Sequence, residues 1–93
     1  MGAEILLNER RILSESAFVE MVVWRLPRSQ AGSTHRLKYR LAFVVDGVCV
    51  LRYDNESGKG DHKHAGDEEV EYVFTTAEAL LDDFWKDVDN RRT

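Results

Sequence analysis

Apolar residues follow two rhythms along this chain. As far as Phe74 they alternate or run in short β-branched and aromatic blocks, and beyond Thr75 they return at three- and four-residue spacing. Ala3 to Leu7, then Ile12 and Leu13, predict a strand interrupted near Asn8, with Ser14-Glu15-Ser16 as its turn. Phe18 to Leu26 predicts a central strand covered on both faces. Phe18, Val22, Trp24 and Leu26 form one side, and Val19, Met21, Val23 and Arg25 the other. Pro27 ends that run, and Arg28 to Thr34 reads as a hairpin loop. A strand over His35 to Val45 follows, mixed basic and apolar at its start and wholly apolar at its end.

Asp46-Gly47 is the strongest local signal in the chain, a two-residue turn between antiparallel strands. An uninterrupted ladder from it places Val45 opposite Val48, Phe43 opposite Val50, Leu41 opposite Arg52 and Tyr39 opposite Asp54 on one face. Val44–Cys49, Ala42–Leu51, Arg40–Tyr53 and Lys38–Asn55 then fall on the other. Ala65 to Glu69 reads as a further turn and Val70 to Phe74 as a half-buried strand. Thr75-Thr76-Ala77-Glu78 fits a capping box with Thr75 as the cap. Ala77, Leu80, Leu81, Phe84, Trp85 and Val88 then share one face of a helix. The expected fold is α+β, an antiparallel sheet of four or five strands with one C-terminal helix packed on one face.

At 93 residues the chain makes a single domain, 1–93, with a thin core. Such a core leaves apolar surface for a partner or a second copy of the chain to cover, so homo-oligomerisation stays open. The 43% hydrophobic and 32% charged composition excludes the disordered class. The lone Cys49 cannot form an internal disulfide and, lying in an apolar run, is expected to be a buried structural thiol. No apolar stretch approaches the roughly 18 residues of a membrane span, and no signal peptide is evident, so a cytoplasmic location is expected.

The net charge of −4 hides a division. Between Met21 and Ala65 stand eight Lys or Arg residues against four acids, together with all three histidines. From Asp67 to Asp89 stand nine acids against Lys86 alone. A molecule so divided can turn a positive face to a phosphate backbone and a negative one to solvent or to a basic partner.

Candidate chemistry concentrates in Leu51 to His64. His62 and His64 point the same way if that segment is extended, and imidazoles pass protons near neutral pH. RNA supplies its own nucleophile in the 2′-hydroxyl, so cleavage needs a base, an acid and cationic support. His62 and His64 serve as the proton-transfer pair in this scheme, with Lys59 as an alternative acid. Arg52 and Lys63 face the phosphate, and Asp54 or Asp61 orients an imidazole. Lys38 and Arg40 extend the backbone-binding surface, and Tyr53 either stacks a base or joins the core. The scheme uses no metal or other cofactor. A metal site of His62, His64 and Asp54 or Asp61 is the competing reading. Interleaved cations and the lack of an evident fourth ligand count against it.

Phe18 to Arg25, His35 to Ala42, Arg52-Tyr53-Asp54-Asn55, Gly58 to His64 and Phe84-Trp85 together resemble the TumE-type toxins of two-gene toxin–antitoxin systems. The Arg-Tyr-Asp-Asn segment followed by Gly-Lys-Gly-Asp-His-Lys-His is the most specific part of the likeness. The resemblance implies a cytoplasmic toxin held inactive by a cognate antitoxin protein, and it does not itself supply a reaction. Cleavage of RNA by a small metal-independent endoribonuclease is the expectation added from the residues. A non-catalytic nucleic-acid or protein-binding inhibitor is the alternative.

Overall fold

The computed structural model describes residues 2–29, 35–56 and 60–92. Among them, six strands form one antiparallel sheet in simple sequence order. They are β1 (Glu4–Ser14), β2 (Ala17–Arg25), β3 (Leu37–Val45), β4 (Val48–Asp54), β5 (His62–Ala65) and β6 (Glu68–Glu71), and a single helix, α1 (Ala77–Arg92), follows. The architecture is the expected α+β, with one more strand than expected. The addition is β5, whose His-Lys-His-Ala sequence has little β preference of its own and is held by pairing on both sides.

The helix covers one face of the sheet. Val19, Met21 and Val23 of β2, Tyr39, Leu41 and Phe43 of β3, and Leu51 and Tyr53 of β4 pack beneath Leu80, Phe84 and Val88. Those three helical residues lie one turn apart in succession and are fully buried. Leu81 and Trp85 flank them, and the Arg11 guanidinium lies 5.2 Å from the Trp85 ring centroid on the β1 side. Phe18, Val22 and Trp24, on the face away from α1, are only half-buried. No helix among the described residues is long and apolar enough to cross a membrane.

The Asp46-Gly47 turn forms as predicted, with φ of 52° and 78°, the pair of left-handed residues that a type I′ hairpin requires. The uninterrupted register does not survive beyond it. Val45 faces Val48 and Val44 faces Cys49, but Phe43 then faces Leu51, so Val50 is an extra residue and a bulge. Every later residue of β4 changes face. Leu51 and Tyr53 turn under the helix beside Phe43 and Leu41, and Arg52 and Asp54 turn away from it with Ala42 and Arg40. Desolvation drives the slip: without it, Arg52 and Asp54 would lie in the core and Leu51 and Tyr53 in water. Cys49 lies on the open face at the turn end and is exposed, correcting the expectation of a buried thiol. In β1 the shifts fall at Leu6 and Leu13 rather than near Asn8.

Asn55, fully buried, extends the ladder past the end of β4 with its side chain. Its Oδ1 accepts from Tyr39 N–H at 2.9 Å and its Nδ2 donates to the Leu37 carbonyl at 2.7 Å. The amide thereby stands in for a further residue of strand. At the helix start, Thr76 Oγ1 accepts from Ala79 N–H at 3.1 Å, so Thr76 is the cap and the box expected from Thr75 and Glu78 does not close. Glu78 in the first turn and Arg91 and Arg92 in the last still match the helix dipole. Strand β6 spans Glu68–Glu71, starting earlier and ending sooner than the expected 70–74.

Truncating Phe84 to Ala should destabilise the fold by about 3–5 kcal/mol, since it empties the middle of the helix–sheet contact. Asn55→Ala should cost about 1–3 kcal/mol by leaving the Tyr39 amide without its partner. Urea unfolding of the two variants against the wild type measures both.

Candidate functional site

The open face of the sheet is built from two transverse rows, fixed by the strand registers. One runs Asn8, Val22, Arg40, Asp54, His62, Glu71, and the other Arg10, Glu20, Ala42, Arg52, His64, Glu69. Antiparallel partners directly opposite one another share a face, so the β5 histidines meet β4 cations and acids on one side and β6 glutamates on the other. His62 and His64 therefore point the same way, as an extended segment requires. Lys38, opposite Trp24, lies on this face as well.

The rows bring opposite charges together. Arg52 Nε lies 2.6 Å from Asp54 Oδ2 but outside the directions of a good N–H···O bond, so the contact is mainly coulombic. His62 Nδ1 lies 2.8 Å from the Gly60 carbonyl, to which it donates, and this leaves Nε2 directed toward Glu69. Glu69 Oε2 is 3.8 Å from His62 Nε2 and 3.7 Å from His64 Nε2. One carboxylate thus faces both imidazoles. The His64 side chain is 30% exposed and that of His62 12%, so His64 offers more surface to an incoming group.

Three expected site residues belong elsewhere. Tyr53 is 2% exposed beneath α1, with its hydroxyl donating to Asp87, so the sheet separates its ring from the open face. Lys63, between the two histidines in sequence, points to the helix side by strand alternation, and its Nζ lies 2.6 Å from Asp87 Oδ2. Asp61 does orient an imidazole, but that of His35. His35 Nδ1 accepts from Leu37 N–H at 3.1 Å, so the ring proton sits on Nε2 and is donated to Asp61 at 2.9 Å. Tyr39 donates to the same Asp61 oxygen at 2.6 Å, and His35 stacks on Phe74 with centroids 3.8 Å apart. Asp54 lies opposite His62 but is engaged with Arg52. Lys59 lies outside the described residues.

The helix-side network is structural. Burial first, and hydrogen bonding to an aspartate second, raise the phenols of Tyr39, Tyr53 and Tyr72 well above the ordinary tyrosine range, so each stays a protonated donor. Tyr72 donates a hydrogen bond to Asp83 at 2.6 Å, between β6 and the helix. Burial pushes the Asp87 carboxyl upward. Hydrogen bonds from Lys63 and Tyr53, with the nearby Lys63 charge, outweigh it and hold the group below the usual carboxylate range.

Glu69, Glu71 and the Gly60 carbonyl were not among the expected site residues. A usable signal was present: Gly66-Asp67 is a two-residue hairpin turn, with Gly66 at φ 62°, and reading it as one sets His64 opposite Glu69. Among the described residues no group of three His, Cys, Asp or Glu side chains is gathered closely enough to hold a metal ion. The family model for Toxin TumE matches residues 3–92 of the chain. No curated protein and no solved structure matches it.

Because the folded state depresses Asp87, its stabilising effect is present above the unfolded carboxyl value of about 3.9 and is lost as pH falls through the lower folded value. Asp87→Asn should therefore lower the melting temperature near neutral pH, and the gap to wild type should narrow below about pH 4. Thermal melts of both proteins across that range check the sign.

Proposed function

Since the chain belongs to the TumE toxin family, whose members act as toxins beside a cognate antitoxin, we propose that its toxicity comes from metal-independent cleavage of RNA laid across the open sheet face. The observation that carries this reading is the convergence of His62 and His64 with Arg40, Arg52 and Lys38 on the side of the sheet away from α1. Lys38 and Arg40 hold the backbone phosphates on either side of the cut, and Arg52 supports the scissile one. The half-buried Trp24 beside Lys38 offers a surface on which an unpaired base can rest.

In this scheme the more exposed His64 takes the proton of the 2′-hydroxyl through Nε2. The freed oxygen attacks the adjacent phosphorus, and the bond to the 5′-oxygen breaks as that oxygen receives a proton from His62 Nε2. The products are a 2′,3′-cyclic phosphate and a 5′-hydroxyl, so the atoms balance without added water, metal or redox partner. The Gly60 carbonyl holds the His62 ring so that Nε2 is the nitrogen that exchanges. Glu69 steadies whichever ring is protonated.

His62→Ala and His64→Ala should each reduce RNA cleavage by about 100-fold or more at matched levels of folded protein, and cleavage by the wild type should persist in EDTA. Fragments carrying cyclic phosphate ends, read by end-specific ligation, test the chemistry. Intact RNA during growth arrest, with both variants still toxic, would instead favour a non-catalytic inhibitor.

A further inference from the structure

Strand β6 ends the sheet on the side of the two histidines, and all four of its residues are exposed. The bond from Tyr72 N–H to the Asp61 carbonyl sets the phase of its ladder with β5. Counting by twos along that antiparallel pair, Val70 and Glu68 exchange hydrogen bonds with Lys63 and Ala65, whereas Glu69 and Glu71 turn their N–H and C=O groups outward. No described residue pairs with that outer edge. The opposite edge, β1, is longer, but it is broken by register shifts at Leu6 and Leu13 and carries Arg10 and Arg11, which are devices that blunt an edge. The β6 register runs without interruption.

The side chains around this edge specify what would bind it. Val70 and Val73 are 51% and 81% exposed, and Val70 borders a cleft of about 440 Å³ between the edge strand and α1. The hairpin around these apolar positions is acidic, carrying Asp67, Glu68, Glu69 and Glu71, whereas the cleft behind it mixes Asp83 and Asp87 with Lys63 and Lys86. Exposed main-chain groups, an apolar seat and an acidic edge hairpin together fit an extended segment that is basic and carries an apolar anchor.

We propose that the cognate antitoxin docks here, adding an extended basic segment to the outer edge of β6 as a seventh strand and seating one apolar side chain beside Val70. The inference rests on membership of the toxin family and not on the RNA-cleaving reading. Docking and inhibition are linked by Glu69, since a lysine or arginine laid opposite it competes for the carboxylate that faces His62 and His64. The partner's added strand also lies one strand away from both imidazoles.

The test is titration of the purified chain with its purified cognate antitoxin, at low and at physiological salt. The Glu71→Pro variant removes an outward N–H without breaking a β5–β6 bond. The Glu68→Lys/Glu71→Lys double variant reverses exposed charge and keeps the backbone, so it remains informative if the proline variant unfolds. Ile12→Lys on β1 is the control, and thermal melts confirm folding. Each β6 variant should bind at least tenfold more weakly, the double variant should show a shallower salt dependence, and Ile12→Lys should bind like wild type. Folded β6 variants that bind like wild type, or a loss of binding confined to Ile12→Lys, overturn the proposal. Failure of the wild type to bind also overturns it and removes the antitoxin premise, whereas RNA cleavage by the same preparations is scored separately.

Discussion

Sixteen residues of helix are all this chain has, among its described residues, to cover a six-stranded sheet. The helix can shelter one face only, and a strand presents its side chains alternately to two. Every strand from β2 to β5 must therefore choose which alternate set to bury, and burial under Leu80, Phe84 and Val88 makes the choice. All polar chemistry not needed by the core is pushed to the other side. The candidate site is the consequence of that sorting, since the open face collects Lys38, Arg40, Arg52, His62 and His64 from three different strands.

The sorting holds only because the β3–β4 ladder slips by one residue at Val50. The slip puts Leu51 and Tyr53 under the helix and turns Arg52 and Asp54 to the opposite face, where they pair with each other. The unshifted β4–β5 ladder then sets Arg52 opposite His64 and Asp54 opposite His62. Asn55 then bonds back to the β3 main chain, fixing where β4 ends. Beyond it, Asp61 ties the return of the chain to Tyr39 and His35, so the segment entering β5 is held from the helix side while its histidines face the other way. Residues of the most specific sequence motif are thus divided between the two faces. Arg52, His62 and His64 serve the open surface, and Tyr53, Asn55, Asp61 and Lys63 brace the fold that presents them.

The charge division along the chain has a spatial counterpart. Strands β3 to β5 bring Lys38, Arg40, Arg52 and Lys63 to the middle of the sheet, and β6 with α1 gathers acids. Glu69 belongs to both regions, lying on an edge strand and facing two imidazoles. The proposed antitoxin strand at that edge would meet this carboxylate without filling the candidate site.

The sequence alone determined the class of fold, the Asp46-Gly47 hairpin, the C-terminal helix with its apolar stripe, and the pairing of His62 and His64 on one side of an extended segment. Each is a local property, set by turn stereochemistry or by the period of the apolar residues. It also carried the family likeness, through the spacing of Arg52 to Asn55 and Gly58 to His64. The tertiary structure decided what periodicity cannot. The bulge at Val50 reversed the faces of Arg52, Tyr53 and Asp54, because one added residue inverts every later position of a strand. Pairing on both sides made a strand of His62–Ala65, and that pairing sent Lys63 to Asp87 and brought Glu69 to the histidines. Packing gave Asp61 to His35, twenty-six residues distant in sequence. These partners are non-local, and which residues meet was settled by the free energy of burying one face of the sheet under one short helix.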